Sequence, residues 1–297
     1  MIPGQPAWLD DLRLEPGPPY STMGTRSLDL DEWLVVDADR EVDLAYKAQL
    51  LDTVRDVVVA HDDTRPDPHP DTRPDTRSVG AEVLGLVRAW LCEHGIEPAP
   101  AHGDDHPLVE AARLVQEDLA VLQRIDGAWV LTAGVVCFPS HWTISDKVGL
   151  PLEGVHGPVA HYPEELRDKV NRFHDRLSVD RPAWRRNWMI NPTDELHQPA
   201  RDQSMHIADS IAPDGSPMWI RSEFQTLRRL PETGAILFTI RVQLAPLGVL
   251  RQRLDLAEKM LVATSSWDRE RRMYSSTGGA LDALTAWLTG VAATTTR

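Results

Sequence analysis

Three polar side chains stand two residues apart inside one strand-like run: Arg221, Glu223 and Gln225, within Trp219 to Leu227. A spacing of two puts all three on one face of a strand. On a solvated face that pattern is ordinary. On a face that covers a pocket it is a polar wall able to orient a charged ligand. His156 stands in a loop between Val155 and Gly157-Pro158, and by pattern alone it reads as a side chain that caps or hydrogen-bonds nearby backbone. The loop His102-Gly103-Asp104-Asp105-His106 has metal-ligand residue types. Flanking prolines and an internal glycine do not hold two histidines on one face as a helical pair would be held. The chain has eleven histidines but no Gly-x-Ser-x-Gly elbow, P-loop, Gly-x-Gly-x-x-Gly, His-Glu-x-x-His or Cys-x-x-Cys. Its only cysteines, Cys92 and Cys137, exclude a disulfide framework and a four-thiolate metal or iron–sulfur site within the chain.

The elements that must position these residues follow from periodicity. Residues 1–35, rich in Pro and Gly, read as an irregular packed arm. Leu44, Ala48, Leu51, Val54 and Val58 form one apolar stripe, which predicts a helix over 37–60. The stretch 61–78, with four prolines and alternating charges, predicts an exposed, mobile loop. A second helix is expected over 79–94, stopped by Gly95, and a third from Leu108 to Arg124. Ala128 to Phe138 is a β-rich apolar run. A helix is expected from Pro163, with proline at its first position and acids in its first turn. Strands are expected at Trp184–Ile190, Met218–Leu230 and Gly234–Leu244, the last two joined as a hairpin through Pro231-Glu232-Thr233-Gly234. Helices over 247–265 and 279–288 close the chain. The order describes an α+β fold around an antiparallel sheet, a single domain over 1–297 with its central region at 129–244 and C-terminal helices within 247–288.

The chain has 297 residues, 42% of them hydrophobic, enough for a sizeable core. With 31 Lys and Arg against 45 Asp and Glu, the net charge is −14, which argues against nucleic acid and anionic membrane as partners. No stretch reaches the ~18 apolar residues of a transmembrane helix. The opening Met1-Ile2-Pro3-Gly4 lacks a basic n-region and an apolar h-region, so no secretory signal is expected and the expected location is the cytoplasm. Ten Trp against four Tyr and four Phe is a skewed aromatic set, suited to a core or to a pocket for a planar ligand.

One long constellation resembles a known family. Val136-Cys137-Phe138-Pro139-Ser140-His141-Trp142, Lys147-Val148-Gly149 and Val155-His156-Gly157-Pro158-Val159 resemble the central motif of the haem-dependent oxidative N-demethylases. Met23-Gly24 with Trp33, Lys47 with Leu50-Leu51, Gln116-Glu117-Asp118, Arg186-Asn187-Trp188, and Gln225-Thr226-Leu227 through Arg241 follow in the family's order. The resemblance runs from about 20 to 260. It departs at two places. Ala160-His161-Tyr162 stands where the family continues with proline, and Phe224 stands where it has arginine before Gln-Thr.

The resemblance implies a PAS-like haem domain, an antiparallel sheet with flanking helices and N- and C-terminal helical extensions. It implies haem b with His156 as axial iron ligand; His161 and His174 are the alternatives, and the Cys137 thiolate a weaker one. Lys147, Trp142, Asn187 and Arg241 are then expected around the cofactor. Glu223 is expected to hold a protonated amine, and Arg221, Gln225, Arg186 or Asn187 to donate to oxygen. The implied activity is a monooxygenase one: O₂-dependent oxidation of an N-methyl C–H bond to a carbinolamine, which releases formaldehyde from a small secondary amine. Dimethylamine is the family's substrate, and the change at Phe224 means that it need not be this chain's. Electrons are expected from a separate reductase subunit carrying FMN and a 2Fe–2S centre and fed by NADPH. The rival readings are a haem PAS-type gas or redox sensor without catalysis, and a haem-free structural partner.

Overall fold

The computed structural model describes residues 5–16, 23–62, 74–103, 105–157, 166–200, 211–268 and 280–293. Most of the Pro/Asp-rich loop, 63–73, and the segment carrying His161 lie outside the described residues. Seven strands form one antiparallel sheet: β1 Arg26–Ser27, β2 Val59–His61, β3 Asp118–Ile125, β4 Ala128–Val135, β5 Ala183–Asn191, β6 Trp219–Arg229 and β7 Ile236–Pro246. Their spatial order is β1-β5-β6-β7-β3-β4-β2. The helices are α1 Arg40–Thr53, α2 Arg55–Val58, α3 Thr76–Glu93, α4 Pro107–Ala112, α5 Leu152–Val155, α6 Arg167–Arg176, α7 Leu254–Ser265 and α8 Ala280–Ala293. Among the described residues no helix is long and apolar enough to cross a membrane.

Two helical expectations are corrected. The helix expected over 37–60 stops at Val58, and Val59–His61 pairs with Val135–Ala133 as an edge strand. Val59, β-branched, leaves the helix in extended conformation at φ −125°, ψ 129°. The helix expected from Leu108 to Arg124 ends at Ala112, and Asp118–Ile125 is a central strand between β7 and β4. Asp126 and Gly127, both at positive φ, make the two-residue turn that folds β3 onto β4.

Register fixes what faces what. Pairing sets Arg185 beside Gln225 and Asn187 beside Glu223, with Val242 and Ile240 on the far side of those two. These residues therefore share one face, here termed the front. Arg186, Phe224 and Arg241 form a row on the back, as do Trp188, Ser222 and Gln243. The front packs Leu122, Leu131, Leu227 and Ile236 under Ile144, Leu152 and α6 residues such as Val170. The back carries two apolar clusters. One sets Leu119, Val121 and Leu237 against α3 and α4; the other sets Trp188, Ile190 and Ile220 against α7, α8 and Leu9 of the N-terminal arm. Gly134 lets the front loop settle, because a Cβ there would stand 2.6 Å from Ile144.

The β6–β7 hairpin is pinned at its tip. Glu82 of α3 accepts hydrogen bonds from the backbone N–H groups of Glu232 and Thr233. That anchorage holds both long strands in one register, and with them every polar residue of β6.

Candidate functional site

The front-face loop begins where β4 ends. The buried Asp118 carboxylate accepts from the backbone N–H groups of Cys137 (2.8 Å) and Phe138 (2.9 Å). Burial pushes this carboxyl's pKa up, while the charges of Lys47 and Arg221 oppose the shift. Lys47, fully buried, donates from Nζ to the carbonyls of Val115 (2.9 Å) and Glu117. The loop exit is thus clamped by charge-assisted hydrogen bonds. Ser140 then bridges to Gln198, and His141 follows in the left-handed region, φ +66°. A histidine there is uncommon and is held by its N–H donating to the Gln198 carbonyl at 2.7 Å.

Beneath this loop lies the polar wall of β6, and it is a closed network. Arg221 donates from Nε to Ser140 Oγ at 2.9 Å, and from its terminal nitrogens to the carbonyls of Phe138 (2.8 Å), Leu196 (3.0 Å), Pro139 and Glu195. Ser140 Oγ donates to Glu223 Oε1 at 2.8 Å, and Gln225 Nε2 donates to Glu223 Oε2 at 2.8 Å. Arg221 is fully buried and spends its donors on the loop, so it shapes the wall rather than facing a ligand. Glu223 keeps a small exposure of 9% and presents a carboxylate held from two sides.

His156 caps the C-terminus of α5 on the same face. Its Nδ1 donates to the Leu152 carbonyl at 2.8 Å, so the lone pair resides on Nε2. Burial pushes its pKa down to about 4, aided by the charges of Arg185, His174 and Lys147. This is a neutral imidazole in a fixed tautomer, the form that ligates a metal. Lys147 donates from Nζ to the Val155 carbonyl at 3.0 Å, which fixes the helical turn that aims His156. Trp142, half-buried, packs against both the front cluster and the cluster below α3. Asn187 sits across the strand pair from Glu223.

Register separates the remaining expected site residues from these. Arg186 and Arg241 point to the back of the sheet, and the expectation that either shares a ligand with His156 is corrected. Arg186 donates to Ser222 Oγ (3.0 Å) and Gln243 Oε1 (2.9 Å) and lies over the Phe224 ring. Arg241 pairs with Asp37 and Asp43, each at 2.9 Å. A strand alternates its side chains, so adjacent motif positions such as Arg186 and Asn187 must part company.

The alternative ligands are also placed. His174, buried on α6, donates from Nδ1 to the Val170 carbonyl at 2.8 Å and has a lowered pKa through burial. Burial pushes the Cys137 thiol up to about 12, which disfavours the thiolate form that a metal ligand requires. His161 lies outside the described residues. In the 102–106 loop, His106 caps α4 through Leu108 N–H, and Asp105 pairs with Arg55. Sequence reasoning gave Ser140 no role. No spacing rule joins it to Glu223, 83 residues away.

Residues 91–284, well over half of the chain, match the family described as haem-dependent oxidative N-demethylase, alpha subunit-like.

Proposed function

Since this chain belongs to the haem-dependent oxidative N-demethylase, alpha subunit-like family, we propose that it is the haem-binding subunit that oxidatively demethylates a small secondary amine and releases formaldehyde. The observation that carries this reading is the chemistry of His156: a neutral imidazole, its Nδ1 committed to a backbone carbonyl, on the sheet face that also bears Glu223. Haem b, when bound, would supply the O₂-dependent oxidation of the N-methyl group.

The chain's residues divide the remaining work. His156 would hold the iron from the helix side, with Lys147 fixing its turn and Trp142 supplying apolar wall. Glu223 would bind the ammonium form of the amine as an ion pair. Ser140 and Gln225 orient that carboxylate before substrate arrives, so little rearrangement is needed on binding. Asn187, opposite Glu223, is placed to donate a hydrogen bond to oxygen or substrate. Phe224 faces the back and does not enter the wall. The element order supports a PAS-like label: a strand pair, a His-bearing loop and helix on one face, then three strands.

Electrons would come from a separate reductase subunit carrying FMN and a 2Fe–2S centre and fed by NADPH, a reading supported by the alpha-subunit description of the family. The test is formaldehyde release from dimethylamine and its homologues by the haem-loaded chain with a reducing system and O₂. Amine-dependent formaldehyde supports the reading. A haem spectrum without any turnover would favour the sensor, and no haem uptake the structural partner.

A further inference from the structure

On the reading above, electrons must reach the front face from outside, and one surface offers a way in. At the tips of the β3–β4 and β6–β7 hairpins lies a groove of about 440 Å³ lined by Arg124, Trp129, Asp175, Arg229 and Thr233 among others. Two guanidinium groups contact the Trp129 ring, Arg124 at 5.6 Å and Arg229 at 5.1 Å from its centroid. Its Nε1 donates to Asp175 at 2.9 Å, so the ring is fixed. Behind it stands His174, with ring centroids 6.1 Å apart. The charge of His174 is in turn felt at His156. Trp129 and His174 thus lead inward from the groove on the front face that also carries His156. The same α6 surface is basic in an acidic chain: residues 166–181 carry five Lys and Arg against three Asp, a net +2, while the whole chain carries −14.

We propose that this groove is where the electron donor docks, and that the donor presents an acidic face around its redox centre. One electron passes inward per encounter: the partner's 2Fe–2S centre is oxidised and the ferric iron held by His156 is reduced. Arg124, Arg176 and the other α6 cations steer the partner, a rate effect that salt weakens. Trp129 and His174, in ring contact behind the groove, would stand between the docked partner and an iron held by His156. Arg229, which also holds the His174 and Leu177 carbonyls, keeps this pair rigid.

The test uses the haem-loaded full chain, with a reduced acidic 2Fe–2S ferredoxin as the probe donor and reduced methyl viologen as a small cationic one. Stopped-flow absorbance follows haem reduction. The double variant Arg124→Glu/Arg176→Glu is expected to slow reduction by ferredoxin at least tenfold at low salt and to leave reduction by methyl viologen within twofold. Arg251→Glu, an exposed cation outside the groove and α6, is expected to change neither. Reduction by ferredoxin that stays within twofold of the unaltered chain in the double variant overturns the docking site while leaving the haem reading intact. Absence of a Soret band in the unaltered chain overturns the haem reading itself, and the inference with it.

Discussion

Arg221 and Glu223, two residues apart on β6, are joined through the hydroxyl of Ser140, which accepts from Arg221 Nε at 2.9 Å and donates to Glu223 Oε1 at 2.8 Å. One oxygen therefore ties the loop to the sheet and sets the carboxylate's orientation. Ser140→Ala leaves a buried guanidinium nitrogen and a carboxylate oxygen each short of a partner. The expected cost is about 1–3 kcal/mol of stability, read as a lowered urea midpoint. Haem content should stay the same, and KM for the amine should rise.

Glu223→Gln keeps the shape of the wall and removes its charge. A hydrogen bond to a charged group contributes about 1.5–3 kcal/mol. Amine affinity should therefore fall by roughly ten- to a hundredfold, measured as the amine-induced shift of the haem spectrum. An unchanged affinity would remove Glu223 from the substrate site.

Acid should loosen the fold through His156. Its native pKa of about 4 lies below the ordinary 6.5, so between those values the unfolded chain takes up a proton that the native chain refuses. The resulting stability is complete above pH 6.5 and declines as pH falls toward 4. From pH 7 to pH 5 the loss from this one group is about 2 kcal/mol. His174 shifts in the same direction and adds to it. Urea unfolding of the haem-free chain at the two pH values should show a smaller decline in His156→Gln than in the unaltered protein.

On the back of the sheet, Arg241→Met should damage stability rather than chemistry. It leaves Asp43, which is buried, and Asp37 facing each other without their common cation. Breaking a buried pair from one side costs about 3–5 kcal/mol. Thermal unfolding should fall accordingly, while the folded fraction keeps its haem spectrum. A loss of the spectrum at full stability would return Arg241 to the cofactor.

Much of this arrangement was legible from residue order alone. The spacing of Arg221, Glu223 and Gln225 placed them on one face, and the structure shows them bonded in a chain. Strands expected at Trp184–Ile190, Met218–Leu230 and Gly234–Leu244 are found at 183–191, 219–229 and 236–246, the last marked by Ile236, Phe238, Ile240 and Val242 at a period of two. Strand β3 did not alternate: Leu119 to Leu122 is apolar throughout, since both faces of this central strand are covered, and such a run cannot be told from a buried helix by period. The missed signal was Asp126-Gly127, a hairpin dipeptide directly after it. Which of Arg186 and Asn187 faces the site depends on register, which pairing decides and sequence does not. The Ser140 relay needed the fold, because it joins a loop to a strand far along the chain.

The account rests most directly on His156 as the ligand that holds iron. The absorbance spectrum of haem-loaded protein, compared with that of His156→Ala purified and loaded in the same way, tests this in one measurement. The account predicts a histidine-ligated ferric spectrum in the unaltered chain and its loss in the variant, with the folded circular dichroism retained. An identical Soret band in the two proteins would contradict it.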